Sequence, residues 1–136
     1  MVHIVWNSFY EVGVPALDKQ HQHLFALRNR LEDCINGQRD ATHSEAFHDV
    51  LDALYQYSVT HFRDEEAYMD AVGFPEATAH GLAHAHFTET IADLNMAVAQ
   101  GRAGPRQVLD FLSDWLVSHI LSADMQFRRA VGRGGA

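Results

Sequence analysis

The chain has 136 residues, of which 47% are hydrophobic and 21% are charged, and its formal net charge is -8 at pH 7. This length suits one domain with its own buried core, and this composition excludes an intrinsically disordered chain. The chain is acidic and has no basic stripe that could bind nucleic acid. No apolar run approaches the length of a membrane span. The first residues do not resemble a secretion signal. We therefore expect a cytoplasmic protein that neither binds nucleic acid nor inserts into a membrane.

An N-terminal arm precedes four predicted helices. The arm, residues 1–15, is rich in aromatic and β-branched residues and ends at Pro15, which predicts an extended segment that covers the core. Glycine, proline and capping signals divide the remainder of the chain. The predicted helices lie at about 16–36, 43–72, 76–100 and 105–131.

The connections between these segments are short, and no stretch of useful length alternates like a β-strand. The second helix is predicted to open with a capping box that runs from Thr42 to Glu45. Four helices of about 20 to 30 residues joined in this way indicate an all-α fold, an up-down-up-down four-helix bundle with an extended N-terminal arm. We expect residues 1–136 to form a single domain.

Histidine is unusually frequent, at ten of the 136 residues. Each predicted helix has an apolar stripe at intervals of three and four residues, and each stripe includes at least one histidine at a core position. The first stripe also includes one charged residue, Arg28. The stripe histidines are His21, His61, His80, His84 and His119.

The other five histidines are predicted to lie at the surface or at segment boundaries. His23 and His86 are each two residues from a stripe histidine, which is about 200° around a helix, so they point away from the core. His3 belongs to the arm, and His43 and His48 lie near the start of the second helix.

Two pairs of candidate ligands have the spacing of neighbours on one helix face. His61 and Glu65 form one i,i+4 pair and His80 and His84 form the other, so each pair can present two donor atoms to one metal centre. A single buried histidine is more often an ordinary core residue. Five of them from four helices would be costly to bury without a shared purpose, which favours a metal centre inside the bundle.

A second carboxylate is needed to balance the charge of such a centre, and several acids are available. Asp124 is a candidate, but it lies five residues after His119 and therefore about 140° around a regular helix. Helical phasing alone does not select it. Asp110, Asp114 and Glu89 remain alternatives on the residues themselves.

Four stretches of the chain together resemble the hemerythrin family in its bacterial form. They are WNSFYEVGVPALDKQHQHLF at 6–25, HFRDEEAYM at 61–69, HGLAHAHF at 80–87 and WLVSHILSAD at 115–124. They occur in the family's order, and the resemblance covers nearly the whole chain. It implies a cofactor of two iron ions, a di-iron centre with an oxo or hydroxo bridge.

The resemblance also implies a role for each candidate ligand. Three histidines would bind one iron, two would bind the other, and two carboxylates would bridge them. In that order, these residues are His80, His84 and His119, then His21 and His61, then Glu65 and Asp124. The choice of iron comes from the resemblance, because imidazole and carboxylate ligands also suit zinc, manganese or cobalt.

The function that the resemblance implies is reversible binding of dioxygen, for storage, delivery or sensing, and not catalysis. Two roughly octahedral irons have about 12 coordination positions, and the implied ligands leave about one of them open. That position belongs to the iron of His21 and His61, where dioxygen would bind. A protein that consumes dioxygen is the expected protein partner.

Other functions would use the same ligands. A di-iron oxidase, a peroxidase or an enzyme that handles nitric oxide is the main alternative, and a module that reports oxygen or iron to a partner is another. The histidine-rich ligand set favours reversible binding, because di-iron oxidation catalysts have more carboxylates. A purely structural bundle would leave the buried histidines unexplained.

Residues beside the ligands are predicted to shape the site. Phe62, Trp115 and Leu116 are expected to wall the open position, since the family has apolar residues there. Asp18, three residues before His21, is expected to accept a hydrogen bond from that imidazole.

Overall fold

The computed structural model describes residues 3–37 and 44–134. The helices are α1 (Pro15–Asn36), α2 (Glu45–Val72), α3 (Ala77–Ala99), α4 (Pro105–His119) and α5 (Met125–Gly134). The first four pack against one another in chain order, and α1 also contacts α4, which closes the bundle. This arrangement confirms the predicted all-α four-helix bundle. None of the described helices combines the length and the apolar character needed to cross a membrane.

Local capping decides where α2 begins and ends. Its N-cap is Ser44, whose hydroxyl accepts a hydrogen bond from the Phe47 N–H at 3.3 Å, so the helix starts at Glu45. The predicted capping box opens at Thr42, which lies outside the described residues, whereas the N-cap that the structure describes is Ser44. At the other end, Gly73 has a φ of 70° and supplies a left-handed C-cap.

The predicted fourth helix, 105–131, contains a change of geometry. α4 begins with Pro105 at its first position, where the missing N–H costs nothing, and its regular hydrogen bonding ends at His119. A π-helical segment, Ile120–Asp124, then joins it to α5. Because i→i+5 hydrogen bonding adds about one residue to a turn, the side chains that follow are rotated relative to a regular helix.

Side chains of α1 hold the N-terminal arm against the bundle. The amide of Asn29 accepts the Ile4 N–H at 3.0 Å and donates to the Ile4 carbonyl at 2.9 Å. The carboxylate of Asp18 accepts the Val12 N–H at 2.7 Å. Val12 is buried in an apolar cluster that includes Phe127. The arm therefore covers apolar surface of the bundle, as predicted, but it is not extended throughout, because Ser8–Tyr10 form a short 3-10 helix.

A buried ion pair lies among the aliphatic and aromatic side chains of the bundle. Arg28, the charged residue of the first stripe, is 2% exposed. Its guanidinium contacts the Glu32 carboxylate one turn later at 2.6 Å and donates from Nε to the Ser113 hydroxyl of α4 at 2.9 Å. The charge of Arg28 is thus balanced within the core.

Candidate metal centre

Seven polar side chains from the four bundle helices and the π-helical segment meet inside the bundle. All are buried, with exposed fractions between 1% and 9%. They are the seven predicted ligands: His21 on α1, His61 and Glu65 on α2, His80 and His84 on α3, His119 on α4, and Asp124. The structure therefore brings together every residue that the family resemblance implies as a ligand.

One subset, called here the three-histidine group, consists of His80, His84, His119 and Glu65. The Nε2 atom of His119 lies 3.1 Å from that of His80 and 3.2 Å from that of His84. Glu65 Oε1 lies 2.8 Å from His80 Nε2 and 3.2 Å from His84 Nε2. These four donor atoms are close enough to one another to hold one metal ion.

A second subset, called here the two-histidine group, consists of His21, His61 and again Glu65. Glu65 Oε2 lies 3.2 Å from His21 Nε2 and 3.3 Å from His61 Nε2. Glu65 therefore presents Oε1 to one group and Oε2 to the other.

Asp124 also presents one carboxylate oxygen to each group. Its Oδ1 lies 2.8 Å from His80 Nε2 and 3.2 Å from His119 Nε2. Its Oδ2 lies 3.3 Å from His21 Nε2. Each carboxylate thus has one oxygen at each group, which is the arrangement expected of a carboxylate that bridges two metal ions.

The π-helical segment explains how Asp124 reaches the site. In a regular α-helix, the residue five positions after His119 would lie about 140° around the axis. The i→i+5 geometry of Ile120–Asp124 widens the turn and returns the fifth residue toward the face of His119. The alternatives Asp110, Asp114 and Glu89 are exposed.

The contacts among the donor atoms are short, but several are not directed as hydrogen bonds. Glu65 Oε2 and both carboxylate oxygens of Asp124 lie within 3.3 Å of imidazole nitrogens, yet they have no hydrogen-bond partner in the described part of the chain. Donor atoms bound side by side to an octahedral metal, at bonds of about 2.1 Å, lie about 3 Å apart. The observed spacings of 2.8 to 3.3 Å match this value, so the residues fit a metal ion in each group.

Burial and the close polar contacts set the charges of the carboxylates. Burial raises the pKa of Glu65, but contacts with four histidines outweigh it and hold the pKa well below its usual value. Burial and the charge of Glu65 raise the pKa of Asp124, but contacts with His119 and His80 outweigh both effects, so that the pKa lies below its usual value. Burial lowers the pKa of His80, whereas its contacts with the two carboxylates raise it to about 9. Both carboxylates are therefore anionic at neutral pH and attract cations.

The imidazoles of the two-histidine group differ in their pKa. Burial lowers the pKa of both. For His21, the contact with Glu65 and the charge of Asp124 outweigh burial and raise the pKa. For His61, burial prevails and the pKa is lowered, which favours the neutral imidazole that binds metals.

Two residues that the sequence did not single out orient imidazoles of the site from outside. Gln20 Oε1 accepts the Nδ1–H of His61 at 2.7 Å, and Glu66 Oε2 accepts the Nδ1–H of His84 at 3.1 Å. Each bond fixes the ring so that Nε2 faces the site without a proton. The available sequence signal was weak, since each of these residues merely adjoins a stripe residue in the chain.

The predicted hydrogen bond between Asp18 and His21 is not formed. Asp18 accepts the Val12 N–H instead, and His21 Nδ1 has no hydrogen-bond partner among the residues described. The path of the arm is the physical reason, because it brings Val12 to this carboxylate at the start of α1.

Aromatic rings enclose the three-histidine group. Phe62 is stacked on His84, with ring centres 3.9 Å apart and planes 8° apart. Trp115 is stacked on His119 at 4.2 Å and 11°. Leu116 is buried in the adjoining core. Two of the predicted wall residues, Phe62 and Trp115, are thus stacked on histidines of the three-histidine group, whereas the open position is expected at the two-histidine group.

The two-histidine group has ring neighbours of its own. The ring of Phe62 lies 5.7 Å from that of His61, so Phe62 adjoins both groups. Trp6 of the arm lies 6.3 Å from His21. Trp6 was not among the predicted wall residues, because its position depends on how the arm folds back.

The remaining histidines lie away from both groups. His3, His23 and His86 are exposed, and His48 is half-buried. His43 lies outside the described residues. The helical phasing that separated inward from outward histidines therefore agrees with the structure for the histidines that it describes.

Comparisons with known proteins agree with this geometry. Residues 12–131 match the family model described as the hemerythrin HHE cation binding domain. The chain is 28% identical over 131 residues to a bacteriohemerythrin of Pseudomonas aeruginosa, which covers 96% of this chain and 83% of that protein. It is 32% identical over 123 residues to a hemerythrin-like protein of Naegleria gruberi, with 90% and 89% covered.

A solved structure shows the same fold. The chain superposes on a crystal structure of wild-type hemerythrin with a TM-score of 0.83 and 28% sequence identity, over 96% of this chain and 98% of that one. The resemblance carried by the four sequence motifs is thereby confirmed, and the chain belongs to the hemerythrin family.

Proposed function

We propose that the chain is a non-haem di-iron protein that binds dioxygen reversibly, for storage, delivery or sensing. The proposal rests on the positions of the carboxylate oxygens. Glu65 and Asp124 each have one oxygen at the three-histidine group and one at the two-histidine group. Membership of a family whose model describes a cation-binding domain supports the presence of metal.

Each group would hold one iron in this proposal. Glu65 and Asp124 would contribute an oxygen to both. Because the two-histidine group has one imidazole fewer, its metal would keep room for a small external ligand. When bound, the iron pair would supply the electrons that hold dioxygen and recover them on its release.

The residues of the chain favour binding over turnover. Five imidazoles and only two carboxylates place little negative charge on the metals, whereas carboxylate-rich ligand sets support oxidation catalysis. Buried apolar side chains, including Phe62 and Leu116, exclude water from the surroundings of the site. We therefore assign a binding protein and not an enzyme, with an oxygen-consuming protein as the recipient of dioxygen.

Cycles of oxygenation test this function. The iron-loaded protein is reduced without oxygen, exposed to O2 and returned to an oxygen-free atmosphere while its visible absorption is followed. We expect a charge-transfer band that develops with O2 and is lost on its removal over repeated cycles. One-way conversion to oxidised protein would support the oxidase alternative instead.

Two histidine variants provide a matched comparison. His61→Ala removes one of the two imidazoles of the two-histidine group and should abolish the reversible band while the helical circular dichroism persists. His23→Ala removes an exposed imidazole and should leave the band unchanged. Full reversibility in His61→Ala would refute the assignment of this group.

A further inference from the structure

A surface cleft between α2 and α3 leads to the three-histidine group. Its volume is about 500 Å³. His84 and Phe62 form its buried side, and Glu66 and Asp70 line it from α2. The cleft therefore places charged side chains that contact solvent beside the buried imidazole of His84.

Glu66 connects the cleft to the site. Its side chain is 40% exposed, whereas that of His84 is 2% exposed. Its Oε2 accepts the Nδ1–H of His84 at 3.1 Å. This bond fixes the ring tautomer, so the unprotonated Nε2 of His84 faces the three-histidine group, and the negative charge makes that nitrogen a stronger donor to a metal.

Gly81 provides the space that Glu66 occupies. A Cβ atom on Gly81 would lie 2.8 Å from Glu66 Oε1, which is closer than real Cβ contacts, so the end of the flexible Glu66 side chain would have to move. Gly81 is inside α3, where glycine is less favourable than alanine, and its φ is not positive. The backbone therefore gives no reason for glycine at this position, whereas the Glu66 carboxylate does.

The two groups differ in the charge of their outer partners. His84 of the three-histidine group is held by a carboxylate. His61 of the two-histidine group is held by the neutral amide of Gln20, which also donates to Asp64 at 2.9 Å. The charged partner strengthens only the imidazole that it contacts, so the two groups are unequal in donor strength.

We infer that Glu66 is a positioning residue for His84 that raises the metal affinity of the three-histidine group, and that glycine at position 81 leaves room for the carboxylate in its observed position. The inference rests on the proposed function, because it requires a metal at this group.

Titration of the metal-free protein with Co²⁺ under anaerobic conditions tests the effect on affinity. Glu66→Ala should weaken the binding of one Co²⁺ ion by about 10- to 100-fold, the usual cost of losing such a partner. Glu66→Gln keeps a neutral acceptor and should recover part of the loss. Asp70→Ala removes a charge from the same cleft without contact to His84 and should bind Co²⁺ as the wild type does.

Gly81→Ala gives an independent test because it leaves the carboxylate in the chain. The added methyl group should shift the Glu66 carboxylate from its observed position and weaken Co²⁺ binding, but by no more than Glu66→Ala does, while alanine favours the helix. The double variant Gly81→Ala, Glu66→Ala should be no weaker than Glu66→Ala alone, since both changes remove one contact. The inference would be overturned if the losses of affinity in the two single variants added in the double variant. An equal loss in Asp70→Ala would also overturn it.

A readout without metal separates this inference from the proposed function. In the metal-free protein labelled with ¹⁵N-histidine, the Nδ1–H of His84 should be protected from exchange in the wild type, unprotected in Glu66→Ala and less protected in Gly81→Ala than in the wild type. If the wild type binds no Co²⁺, the proposed function fails whatever the exchange result. Tight binding of two Co²⁺ ions that is unchanged in Glu66→Ala would overturn the inference alone.

Discussion

The buried carboxylate of Glu65 requires positive charge close to it. Its carboxylate is 1% exposed and lies within 3.3 Å of four imidazole nitrogens, two at each of its oxygens. A buried carboxylate is tolerated only where positive charge is close by, either as protons on the histidines or as metal ions. Two metal ions would satisfy both oxygens and all four imidazoles together.

The variant Glu65→Gln should separate these roles. The amide retains the size of the side chain but cannot bridge two metals through two anionic oxygens, so we expect fewer than two irons per chain. The measurement is iron content by mass spectrometry on protein loaded without oxygen. Glu89→Gln, an exposed change of the same kind on α3, should retain the wild-type content, and full loading of Glu65→Gln would contradict the bridging role.

The stripe spacing predicted the inward histidines because spacing within one helix determines which residues share a face. The partners of these histidines could not be predicted in that way. Gln20 on α1 bonds to His61 on α2, and Glu66 on α2 bonds to His84 on α3. Such contacts depend on the packing of two helices, about which the spacing within either helix carries no information.

Regular helix geometry does not predict the contacts of two elements, the π-helical segment and the N-terminal arm. Phasing by a uniform helix left Asp124 unselected, and only the wider turn of Ile120–Asp124 brings it to His119. The arm in turn engages Asp18 and brings Trp6 toward His21, and neither contact follows from its composition.

Another contact between elements is made by Arg28 of α1, which pairs with Glu32 on the same helix and donates to Ser113 of α4. Glu32→Leu would leave Arg28 buried without its carboxylate, which should lower the free energy of unfolding by about 3–5 kcal/mol. Adding Arg28→Met should recover most of the loss, because no buried charge then remains. Urea denaturation of the metal-free protein measures both variants.

The neighbouring acid provides the control for this prediction. Asp33 has a side chain that is 63% exposed, and its contact with His3 lies at the surface. Asp33→Ala should therefore change the free energy of unfolding by no more than about 1 kcal/mol. A loss in Glu32→Leu as small as that of the control would show that the buried pair is not important for stability.

The site connects all four helices of the bundle. Its donor atoms come from α1, α2, α3 and α4 and from the segment that follows α4. Metal that binds only the folded chain must stabilise it, since the unfolded chain cannot assemble these ligands. The bundle and its centre should therefore be thermodynamically coupled.

Removal of metal should accordingly destabilise the protein. At a free Zn²⁺ concentration of about 1,000 times Kd, binding should add about 4 kcal/mol to the free energy of unfolding at each independent site. Calorimetric melting with and without Zn²⁺, which avoids redox chemistry, measures the effect as a rise in Tm. His23→Ala should show the same rise, and an unchanged Tm in the wild type would contradict the coupling.

Mössbauer spectroscopy combined with an iron count shows whether Glu65 and Asp124 join two metal ions. Protein loaded with ⁵⁷Fe and oxidised should contain two irons per chain, with a diamagnetic ground state that arises from coupling through shared ligands. One iron per chain, or two irons with independent paramagnetic spectra, would contradict a bridged pair.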